Sequence, residues 1–85
     1  MVNVLAMDQT NHSRRLATEL RAELARRRLA GAQLARDTGI PQQTMSRKLN
    51  GQSEFTFDDV VSIARALDIA LADLIGMAAI DGSAA

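Results

Sequence analysis

Gln42, Gln43 and Arg47 are the residues of this chain whose types and spacing point most directly to chemistry. A glutamine amide donates and accepts at once, so it matches the N6 and N7 edge of adenine; an arginine fork matches O6 and N7 of guanine. Placed on one short helix, the three side chains form a head able to hydrogen-bond base edges in a major groove. They would also suit a water-facing helix surface, although such a surface more often carries Glu and Lys than two adjacent glutamines. Thr44 offers a methyl group to thymine or a hydroxyl to phosphate, and Ser46, Lys48 and Asn50 are placed for a nucleic-acid backbone. Arg36 and the backbone N–H groups near Gly31 and Ala32 are further phosphate candidates.

Other residue types exclude more than they supply. There is no cysteine, so neither a disulfide nor a Cys-based zinc site is available. His12 stands alone in a polar stretch, which favours an exposed side chain over a metal ligand. Asp58 and Asp59 look like a paired carboxylate, but no general base or nucleophile accompanies them, and Asp59 has a capping role to fill. No catalytic residue, metal or cofactor is expected, and the chain does not read as an enzyme. No apolar run approaches the ~20 residues of a membrane span, and the start lacks the basic flank and apolar core of a secretory signal. A cytoplasmic location is expected.

The 85 residues suit one small domain. Their net charge is zero but unevenly spread. From Asn11 to Lys48 nine cations face three carboxylates, a balance of +6; from Leu49 to Ala85 Arg65 alone faces six carboxylates, a balance of −5, and Asp8 completes the sum. Such polarity can present a basic face to phosphate. It describes two solvated charged faces equally well.

The elements that must position these residues are helical. Leu16, Leu20 and Leu24 recur every four residues, predicting a first helix from about Thr10 to Leu29, capped by Thr10, Asn11 or Ser13 and closed by Arg26, Arg27 and Arg28. That arginine run also lies beside the start of the second helix, where it could meet phosphate. The second helix is expected over Ala32 to Thr38, with Leu34 and Ala35 inward and Gly39 ending it. Pro41 is expected to open a third helix that buries Met45 and Leu49 and stops at Asn50-Gly51. Thr56 and Asp59 read as a capping box for a fourth helix, Phe57 to Leu67, burying Val60, Ile63, Ala64 and Leu67. A fifth, from about Leu71 to Gly76 or slightly beyond, is expected to bury Leu71, Leu74 and Ile75. Residues 1–9 then read as a flexible extension, 10–77 as the domain and 78–85 as a flexible tail, with fraying after about Met77.

This order of segments resembles the Cro and lambda-repressor type of helix-turn-helix domain, the XRE family, over about Leu16 to Gly76. The resemblance is carried by Leu34-Ala35, by Gly39 and Ile40 in the turn, by Thr44-Met45-Ser46-Arg47, by Asn50-Gly51, and by the stretch from Ala66-Leu67 to Leu74-Ile75. It implies a compact all-α, five-helix lambda-repressor-like fold with the helix-turn-helix at helices two and three. The chain also departs from the family. Leu24 and Leu49 stand where an Arg–Glu pair is common, and Gly31 where many relatives carry Gln. Asp68 replaces a usual glycine, Ala70 a Ser or Thr, and the loop Gln52-Ser53-Glu54 lacks the Lys or Arg often found there.

The resemblance implies a sequence-specific regulator of transcription that binds double-stranded DNA, a repressor of phage Cro, immunity-repressor or small bacterial type, working in the nucleoid of a bacterial or phage-infected cell. One such domain reads too few base pairs for a genome, so a weak homodimer on the operator is expected, built from Leu74, Ile75, Met77 and Ile80. The alternative is an antitoxin that binds a toxin protein and its own promoter. A helical adaptor without DNA contact is a third reading.

Overall fold

The leucine ladder at Leu16, Leu20 and Leu24 is buried along one stripe of α1 (Val2–Arg27). The structure, a computed structural model, describes residues 2–79, with side chains from His12 onward. After α1 come α2 (Gly31–Thr38), α3 (Gln42–Leu49), α4 (Phe57–Leu67) and α5 (Leu71–Ala79). Leu34 and Ala35 of α2, Met45 and Leu49 of α3, Ile63, Ala64 and Leu67 of α4 and Leu74 of α5 close one core with the α1 leucines. α1 packs on α5 and α3, α2 bridges α3 and α4, and α4 packs on α5.

α1 begins well before the expected start at Thr10, so the three candidate caps lie inside it. The residues before Thr10 include neither proline nor glycine, so no breaker there stops the helix from propagating towards the N-terminus. Ser13 acts elsewhere: its Oγ accepts the Phe55 N–H at 3.0 Å, tying the loop before α4 to α1.

Three helices end in the same way. A residue just past the last turn turns left-handed, and its N–H and that of the residue after it reach back to otherwise unsatisfied carbonyls. After α1, Arg28 (φ 58°) donates to Ala25 and Leu29 to Leu24. After α3, Gly51 (φ 80°) donates to Lys48 and Gln52 to Arg47. After α4, Asp68 (φ 56°) donates to Arg65 and Ile69 to Ala64.

α4 opens with the expected capping box. The Asp59 N–H donates to Thr56 Oγ1 at 3.0 Å, and the Thr56 N–H donates to Asp59 Oδ2 at 2.8 Å. α5 runs to Ala79, three residues beyond Gly76, in the direction expected. Ile75, expected in the core, is 46% exposed, while Leu74 is wholly buried. Leu71, Leu74, Met77 and Ala78 form the inward stripe, and Ile75 lies about 100° round the helix from its centre at Leu74. Leu74 is therefore core and not part of a two-fold contact, and Ile80 lies outside the described residues. No helix among the described residues is long and apolar enough to cross a membrane.

Candidate nucleic-acid interface

The angle between α2 and α3 is set by three residues. Gly39 (φ 79°) donates its N–H to Ala35 at 2.9 Å, in a backbone region open to glycine at low cost. Ile40 then packs against the core. Pro41 is extended (ψ 143°) and flanks α3 rather than forming its first turn; its carbonyl already accepts from Met45 at 2.8 Å. The ring fixes φ, and the missing N–H falls where the helix has no acceptor to offer.

Around α3 the side chains form rows four residues apart. Met45 and Leu49 are buried and bind the helix to the core. Gln43 and Arg47 form an exposed row. Gln42, Ser46 and Asn50, also exposed, form the next row, bordering a cleft of about 370 Å³ whose far wall includes Arg21, Leu24, Gly31 and Ala32. The side chains of Gln42, Gln43 and Arg47 hydrogen-bond to no other described residue, so their polar groups are available to a ligand. Thr44 is half-buried on the remaining side.

Lys48 corrects the sequence reading. Expected at a nucleic-acid backbone, it is 8% exposed, and its Nζ donates to Asp59 Oδ2 at the start of α4. The spacing places Lys48 beside Thr44, but only the fold shows that α4 covers this row. Burial pushes the Asp59 carboxyl up, and hydrogen bonds from Lys48 and Thr56 outweigh it, holding the group below its ordinary value.

Two arginines of the run that closes α1 also have structural partners. Arg26 and Arg27 donate to Glu23 at 2.6 and 2.8 Å, which holds the Glu23 carboxyl below its usual range. Arg27 also donates to the Leu67 carbonyl at 2.7 Å, joining the ends of α1 and α4. Arg36 on α2 remains exposed, steadied by Gln33 Oε1 at 2.6 Å, while Gln33 donates in turn to Asp37 at 3.0 Å.

Two departures from the family pattern explain each other. Leu24 and Leu49 are both buried and line the same cleft, an apolar pair in place of an ion pair. A Cβ on Gly31 would sit 3.2 Å from Leu49 Cδ1, so the glycine gives the leucine its room. Arg21 then supplies polar closure, its Nη1 donating to the Leu49 carbonyl at 2.9 Å. Arg21 and its neighbour Arg14 were not among the residues expected at the interface. Their signal was the spacing Arg14, Thr18, Arg21, which marks one flank of a helix.

Comparison with known proteins comes to rest on one finding. A family model described as a Cro/C1-type HTH DNA-binding domain matches residues 19–79. No curated protein matches the chain, and no solved structure does.

Proposed function

The chain belongs to the Cro/C1-type helix-turn-helix family of DNA-binding transcription regulators, and from that premise we propose that it is a repressor that occupies operator DNA as a dimer. The observation that carries this reading is the row of unpartnered amides and guanidinium on α3, held outward by the burial of Met45 and Leu49 on its opposite side. Gln42, Gln43 and Arg47 read base edges. Arg36, Thr44, Ser46, Asn50 and the backbone N–H groups of Gly31 and Ala32 hold phosphates. Occupation of a promoter-overlapping site excludes polymerase, in the cytoplasm of a bacterial or phage-infected cell. Ile75, the exposed large apolar side chain of α5, supplies the two-fold contact across half-sites about 34 Å apart, whereas Met77 packs inward.

Selection of bound sequences from a random duplex pool, followed by affinity measurement over a range of salt, tests the proposal. An enriched two-fold symmetric motif, with affinity falling steeply as salt rises, is expected. No enrichment, or binding indifferent to salt, would overturn it.

A further inference from the structure

Beside the reading helix lies a second groove, of about 280 Å³, lined by Arg14, Ala17, Thr18 and Arg21 of α1 and by Asn50 and Gly51 after α3. It shares Arg21 and Asn50 with the cleft along Gln42 and Ser46, so the two make one trough down the flank of α3. No carboxylate lines either part. The Arg14 guanidinium has no partner among the described residues. Arg21 is aimed by its bond to the Leu49 carbonyl, which leaves most of its five donors unused. Gly51 presents bare backbone at the rim, and a Cβ there would sit 3.7 Å from Arg14 Cγ.

We propose that this groove seats a DNA phosphodiester, with Arg14 and Arg21 as its charged ligands and Asn50 as a neutral donor. The inference rests on the DNA-binding reading and extends it: α1 adds a phosphate contact beyond the C-terminal end of α3. Because Arg21 is bound to the last residue of α3, the contact also couples the position of the DNA backbone to that of the reading helix. Two guanidinium groups with no acid between them match the charge and forked geometry of a phosphate.

The test is fluorescence anisotropy with two labelled duplexes, one enriched from the random pool and one of scrambled sequence, across a salt series. Arg14→Ala is the primary variant, since Arg14 is exposed and outside the core. It should weaken binding to both duplexes alike, by roughly tenfold at low salt, and flatten the slope of log affinity against log salt by about 0.9. Its melting temperature should match wild type. Arg21→Lys, which keeps the charge but loses the fork, should weaken binding to both duplexes by a smaller factor. Unchanged binding by Arg14→Ala, while wild type binds with normal salt dependence, would overturn this inference alone. A loss confined to the enriched duplex would also overturn it, because a phosphate contact carries no sequence information. Failure of wild type to bind either duplex would overturn the DNA-binding reading and this inference with it.

Discussion

Arg47 and Lys48 are adjacent cations with opposite surroundings. The Arg47 guanidinium is exposed and has no partner among the described residues, while the Lys48 ammonium is buried against Asp59. The first can serve a ligand and the second serves the fold. Gln43 belongs with Arg47, and Gln43→Ala should reduce affinity for the selected sequence by a factor of about 10, as loss of one bidentate base contact implies. Affinity for scrambled DNA and the melting temperature should stay as they were; a selection profile identical to wild type would count against the role. Asp59→Asn removes the counter-charge from a buried ammonium, and thermal unfolding at pH 7 should show a cost of about 1–3 kcal/mol. The sign of its pH dependence follows from the lowered native value. The stability that Asp59 lends is complete above its unfolded pKa of about 4 and is lost as the pH falls through the lower native one. Wild type and Asp59→Asn should therefore converge in acid. A gap that widens below about pH 4 would contradict the assignment.

At the scale of elements, the ends of helices carry a correctable defect. A left-handed backbone costs an L-residue about 1–2 kcal/mol, and glycine escapes that cost in exchange for about 0.5–1 kcal/mol of chain entropy. Gly51 stands where this geometry needs it, whereas Arg28 and Asp68 do not have that freedom. Asp68 adds a negative charge at the negative end of α4. Asp68→Gly should thus stabilise by about 1 kcal/mol, seen as a rise in melting temperature of about 4–8 °C. Arg28→Gly should gain less, since it gives up a cation that the end of α1 favours. No rise for Asp68→Gly would show that the strain is relieved some other way. The sequence made these elements legible where their signals are local: the Thr56–Asp59 box, the left-handed Gly39 and the extent of α4 all stand as the residue types require. It misplaced the start of α1 because cap-type residues also occur inside helices, and only a breaker marks an end firmly. It misjudged Ile75 and Lys48 because a helix pattern shows which residues share a row but not which neighbour covers that row. Arg14 and Arg21 escaped for the same reason, as their significance depends on the end of α3 lying beside α1.

For the whole molecule, the fold redistributes the charge counted along the chain. Arg26 and Arg27 are engaged by Glu23, and Lys48 by Asp59, whereas Arg14, Arg21, Arg36 and Arg47 have no carboxylate partner among the described residues. These four lie on α1, α2 and α3, the elements that frame the proposed interface. The proposed dimer contact lies on a different surface. Ile75 borders a cleft of about 330 Å³ that joins apolar Leu16, Phe55 and Val60 to polar His12, Ser13 and Glu54. Ile75→Glu should leave folding stability within about 0.5 kcal/mol of wild type but abolish cooperative occupation of two half-sites. Leu74→Ala should instead cost about 2–5 kcal/mol of stability. Undiminished cooperativity in Ile75→Glu, measured by footprinting a two-half-site duplex, would remove this face from the dimer. The exposed row on α3 has one last consequence. Because the side chains of Gln42, Gln43 and Arg47 bond to no other described residue, folding places little constraint on what they are. If they read DNA as proposed, a lineage carrying this scaffold could acquire new target sites through a few substitutions there without passing through an unstable ancestor, and its descendants should diverge fastest at these positions.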